Sequence, residues 1–98
     1  MEQDKVKYLI DMINNMDIKD KLRLAIRISD SNYTNLKYDK TEMYEKFDSK
    51  LKELDEEYRT TIINFNKYPT ITFTMAKVME MSKEGQSQVA LYLFNNII

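Results

Sequence analysis

The sequence contains no cysteine and no histidine. Their absence excludes disulfides, thiolate or imidazole zinc sites, and the Ser-His and Cys-His arrangements of nucleophilic catalysis. A cysteine-free chain fits a reducing compartment, and the expected localisation is cytoplasmic. One glycine and one proline in 98 residues leave nothing to build hairpin turns or a Gly-rich phosphate loop, which favours helices joined by short polar connections. Charge of one sign is also missing. The formal net charge of -1 gives no global pull toward a polyanion or a membrane surface. The longest apolar stretch, VALYLF at 89–94, is too short to span a bilayer. The charged opening MEQDKVK does not read as a signal peptide. No cofactor and no metal are expected.

What is present is enough for a core. An apolar content of 43%, with 11% aromatic, argues for a folded chain, and the length suits a single domain over 1–98. The abundance of Lys, Asn, Ile, Tyr and Met suggests an AT-rich genome, such as that of a low-GC bacterium, its phage or a plasmid.

Helical periodicity dominates. A first helix is expected over 3–15, with Val6, Leu9, Ile10 and Ile13 on one face and Met12 and Met16 extending it. Asp17 reads as the N-cap of a second helix over 18–29, with Asp20 in its first turn. Ile18, Leu22, Ala25, Ile26 and Ser29 form its apolar face, but Leu24 and Ile28 fall outside it. The alternation of Leu22, Leu24, Ile26 and Ile28 therefore leaves a strand open. Asp39 and Glu42 read as a capping pair for a third helix. There Tyr44, Phe47, Leu51, Leu54, Tyr58, Thr61, Phe65 and Tyr68 follow a 3-4 spacing without a break, predicting one long amphipathic helix over about 39–67. At ~1.5 Å per residue it would reach roughly 42 Å, long enough to overhang a small domain or to kink near Thr60 and Thr61. Beyond Pro69, Ile71, Met75, Val78 and Met79 suit a fourth helix, while Thr70, Thr72 and Thr74 alternate as a strand would. Ser82 caps a last helix over 83–96, with Glu84 in its first turn, and no charged side chain follows from Gly85 onward. Such a helix is buried centrally or by a partner. The expected fold is all-α, a small bundle of about five helices around the long one. The alternative is α+β, with short strands near 22–28 and 70–75.

Residues 13–28 also align with 78–93, setting Met16 on Met81, Asp17 on Ser82 and Ala25 on Ala90. The alignment predicts two capped helical hairpins flanking the long helix, or simply the shared grammar of a capped helix after a polar break.

No motif carries chemistry. The acidic cluster Glu53, Asp55, Glu56 and Glu57 reads as a solvated face, and an enzyme is not expected. Met12, Met16, Met75, Met79 and Met81 suit core filling or an adaptable surface. The most specific feature is a basic ridge, Lys19, Arg23 and Arg27, with Lys21 beside it, offered to an acidic partner or to nucleic acid. LRLAIRISDSNYTNL resembles a helix-turn-helix reader in outline, with Ala25 as the small residue, a polar turn and a second short helix around Tyr33 and Leu36. It lacks the usual turn glycine, and a pI near 5.5 opposes DNA, whose readers usually exceed about 9.

The function expected is protein-protein interaction without catalysis, by self-association into a dimer or other homo-oligomer. It rests on the coiled-coil-like long helix and the uncharged last helix, with Tyr44, Phe47, Leu51, Leu54, Tyr58, Leu91, Phe94 and Ile97 as interface candidates. A small regulator or inhibitor of a phage or mobile element fits the size. The alternative is a DNA-binding transcriptional regulator using the segment near 18–38. Nucleic acid is the disfavoured partner, and no membrane contact is expected.

Overall fold

A computed structural model describes residues 2–29 and 40–97. Among the described residues five α-helices carry the fold: α1 (Glu2–Asn14), α2 (Ile18–Ser29), α3 (Lys40–Leu54), α4 (Pro69–Met79) and α5 (Lys83–Ile97). Two 3-10 turns, Glu57–Arg59 and Phe65–Lys67, lie between α3 and α4. No strand occurs among the described residues, so the all-α reading holds and the α+β alternative falls. The loop expected at 30–35, the short helix around Tyr33 and Leu36, and the Asp39 cap lie outside the described residues.

The two segments that alternate like strands are helical for different reasons. α2 is central, packing on α3, α4 and α5. Leu22, Leu24, Ala25, Ile26 and Ile28 are all buried, so its apolar residues are not confined to one stripe. In α4 the threonines are accommodated one by one. Thr74 is buried and its hydroxyl donates back to the Thr70 carbonyl at 2.7 Å. The Thr72 hydroxyl donates to the Phe65 carbonyl at 3.2 Å, tying α4 to the preceding 3-10 turn. Pro69 sits in the first turn, where its missing N–H costs nothing.

The helix expected over 39–67 ends at Leu54. The cause is tertiary. Arg23 of α2 donates to Asp55 Oδ2 at 2.9 Å, and Asp55 Oδ1 accepts the Tyr58 N–H at 3.4 Å. The Asp55 N–H makes a last i→i−4 bond to the Leu51 carbonyl at 2.8 Å, while its side chain opens the next turn. Thr60 and Thr61, the expected kink, both direct their hydroxyls back to the Glu57 carbonyl. The 55–68 stretch folds against α2 and α3 rather than projecting beyond the domain, whose radius of gyration is 12.8 Å.

The cap positions of the internal alignment are occupied as expected. The Asp20 N–H donates to Asp17 Oδ1 at 2.8 Å, and the Gly85 N–H donates to Ser82 Oγ at 3.2 Å. α4 and α5 pack on each other as the second hairpin would, but α1 and α2 are not principal partners. α1 packs chiefly on α5, and α2 chiefly on α3. α5 is therefore covered by the chain itself: Val89, Ala90, Leu93 and Phe94 are buried, with the Phe94 and Phe47 rings 5.1 Å apart.

Candidate functional site

The basic ridge divides. Arg23, its middle member, is buried and fully engaged. It donates to Asp20 at 2.6 Å and to Asp55 at 2.9 Å, and its guanidinium lies 4.1 Å from the centroid of the Tyr68 ring. Burial disfavours its charge, but the two carboxylates outweigh that and leave the group more basic than a free arginine. In return the guanidinium holds the Asp55 carboxyl below its ordinary range. Arg23 is a structural clamp and is not available to a ligand. Lys19 and Arg27 are exposed and Lys21 is half-buried. Arg27, one turn beyond Arg23, sits 5.4 Å over the Phe65 ring.

The interface candidates also separate. Phe47, Leu51 and Phe94 are enclosed in the core and cannot face a partner. Tyr44, Tyr58, Leu91 and Ile97 are half-buried, and Leu54 is exposed. Only Tyr44 and Tyr58 of this set line the larger of two neighbouring clefts.

The fold-back of 55–68 creates these clefts, which share Tyr58, Thr61, Ile62 and Ile63. The smaller, about 130 Å³, is bounded by Arg23, Asp55, Glu57 and Lys67. Its charges are internally matched, Arg23 with Asp55 and Lys67 with Glu57 at 3.4 Å. The larger, about 380 Å³, opens between α2, α3 and the 58–65 stretch. Ile26, Ile63, Phe65, Tyr44 and Tyr58 give it an apolar and aromatic lining. Its charged members are Arg27, Lys52, Arg59 and Asp48.

Asp48 already has partners within the chain. It accepts from the Tyr58 hydroxyl and pairs with Lys52 at 2.9 Å. Burial opposes its charge, but these two donors outweigh it and hold its carboxyl below the ordinary range. Tyr58 moves the other way. Burial, then the adjacent Asp48 carboxylate, push its phenol well above the usual value. Such a phenol keeps its proton at neutral pH and serves here as a fixed donor. Arg59 Nε donates to the Lys52 carbonyl at 2.6 Å, which aligns its guanidinium along the cleft wall. Neither Arg27 nor Arg59 has a carboxylate within 4.0 Å among the described residues.

At the shared rim stands Ile62, 94% exposed. The other large apolar side chains at the surface, Tyr8, Ile18, Leu54, Phe73 and Met79, keep 38–56% exposure. Sequence periodicity misses this residue because it treats 39–67 as one helix and leaves position 62 as ordinary solvated surface. Its neighbours Asn64 and Pro69 are the available signals. Asn64 caps the second 3-10 turn by accepting the Asn66 N–H at 3.1 Å.

No protein-family model matches this chain, and neither the curated proteins nor the solved structures compared with it contain a match. Among the described residues no group of three or more acidic side chains is placed to hold a metal ion. None of the described helices is long and apolar enough to cross a membrane.

Proposed function

We propose that this chain works by binding another protein, without catalysis of its own, and that the larger cleft with its Ile62 rim is the face it uses. One observation carries the reading. A nearly fully exposed isoleucine stands on the lip of a cleft lined by Tyr44, Tyr58 and Phe65. An isolated apolar side chain at a surface is ordinary, but one that continues a concave apolar lining marks an interaction site.

Self-association is one way to cover that face. The long helix and the uncharged last helix no longer call for a second copy: the 39–67 helix stops at Leu54, and α5 is covered by α1, α2 and α4. The DNA-binding alternative loses the middle residue of its ridge to the Arg23 clamp. A small regulator or inhibitor of a phage or mobile element is one form such a binding protein would take.

The test is site-specific photo-crosslinking in the native host, with the reactive side chain at position 62 or, as control, at position 7 on the exposed side of α1. The expectation is discrete adducts from position 62 and none from position 7. An adduct of twice the chain's mass would identify self-association. Absence of adducts at 62, or the same adducts from both positions, would overturn the proposal.

A further inference from the structure

The two clefts at the Ile62 rim differ in one respect that selects a partner. In the smaller, each charge meets an opposite charge of the chain itself. In the larger, Asp48 is the only carboxylate among the described residues lining it, and it is taken by Lys52 and Tyr58. That leaves the Arg27 and Arg59 guanidiniums facing an apolar lining with no carboxylate of the described chain to meet them. The local charge is positive in a chain whose net charge is -1. We infer that the larger cleft receives an acidic segment of the partner protein, with one large apolar side chain seated against Ile63, Phe65 and Tyr44 and flanking carboxylates on Arg27 and Arg59. This inference rests on the protein-binding reading above and names the chemistry of that partner.

Three physical points favour a peptide over a bare anion. The lining is largely aromatic and aliphatic, and burying apolar area is what such a surface gains from. Arginine presents a planar fork that suits carboxylates, and both guanidiniums are already oriented, Arg27 by the Phe65 ring and Arg59 by the Lys52 carbonyl. Prior orientation lowers the ordering cost of binding. At about 380 Å³ the cleft lies at the small end of ligand-binding pockets, which suits one anchoring side chain with its neighbours outside. A duplex would instead need phosphate contacts spread over a broad basic face.

The experiment is selection of a displayed random dodecapeptide library on the intact chain, in parallel with Arg27→Ala/Arg59→Ala and Ile62→Asp variants shown by circular dichroism to remain folded. Enrichment of Asp and Glu around a single large apolar residue is expected. The selected peptides should bind the double arginine variant about tenfold more weakly, the equivalent of about 1.4 kcal/mol. Amide shifts in a ¹⁵N NMR titration with the best peptide should centre on 26–27 and 58–65. Enrichment of basic or purely apolar peptides would overturn the inference, as would acidic peptides that bind all three proteins equally. So would tighter binding of a random-sequence DNA duplex than of any selected peptide. If position 62 still gives adducts in the host while the library yields no acidic motif, the inference fails and the protein-binding reading stands. If the adducts are absent too, both fail.

Discussion

Replacing Arg23 by alanine tests how the fold and the cleft are joined. The Arg23 side chain is 10% exposed, and its partners Asp20 and Asp55 are 29% and 15% exposed. Breaking a fully buried pair costs about 3–5 kcal/mol, whereas exposed pairs contribute about 0–1. These carboxylates retain some water, so about 2 kcal/mol is a fair figure for the ion pairs, with roughly 1 more for the lost contact over Tyr68. For a domain of this size each kcal/mol moves Tm by about 4–8 °C, so Arg23→Ala should lower it by about 12–24 °C. Arg27→Ala, on the same helix and one turn away, loses only an exposed contact with Phe65 and should cost about 0.5 kcal/mol. Thermal melts followed by circular dichroism measure both. A cycle with Asp55→Asn should return a coupling of about 1–3 kcal/mol. Acid adds a second readout. Asp55 is held below its ordinary range, so its contribution is present above the unfolded carboxyl's value and is lost as pH falls through the folded one. Asp55→Asn should therefore flatten part of the acid limb of the stability curve. Equal Tm shifts for the two arginine variants, or no coupling between Arg23 and Asp55, would refute the clamp.

Further outcomes can be checked on the same material. Tyr58 is pushed above a free tyrosine's value of about 10, so a spectrophotometric titration should show a late-ionising phenol that Tyr58→Phe removes. Because its folded value lies above its unfolded one, its contribution to stability is present below the unfolded value and fades as pH rises beyond it. Ser82→Ala removes the α5 cap and the hydroxyl's bond to Glu2 Oε2 but keeps the backbone bond to Glu2 Oε1, and should cost about 1 kcal/mol in urea melts. A Cβ at Gly85 would meet the Glu2 carboxyl at 3.0 Å. Gly85→Ala should therefore stabilise more in a Glu2→Ala background than in the native chain, with an upper limit of about 1 kcal/mol from helix propensity.

The helices are legible in the sequence wherever the determinant is local. Asp17 and Ser82 mark caps that form, and Pro69 marks the start of α4. The 3-4 spacing of Phe47, Leu51 and Leu54 is real, but its continuation to Tyr58 and Phe65 is a coincidence of spacing in a chain that has already turned. What ends α3 is a contact between Arg23 and Asp55, which no window of neighbouring residues contains. The same contact divides the basic ridge, since helical spacing reveals a shared face but not what packs against it. The cleft is illegible for the same reason: its lining comes from α2, from α3 and from the 3-10 turns after α3. Arg27 is a candidate from the sequence alone, whereas Arg59 and Ile62 gain their place beside it only through the fold-back of 55–68.

The pairing of α1 with α5 carries a consequence for synthesis. Leu9 and Ile13 are almost entirely covered in the fold, and much of their cover comes from α5. Roughly seventy residues separate the two helices, several seconds of translation at about 5–20 residues per second. Through that interval a nascent chain holds the apolar stripe of α1 without its main native neighbour. The stripe gains its cover only once α5 emerges, and a chain cut short before Val89 would leave it open to chaperones, proteases and other nascent chains.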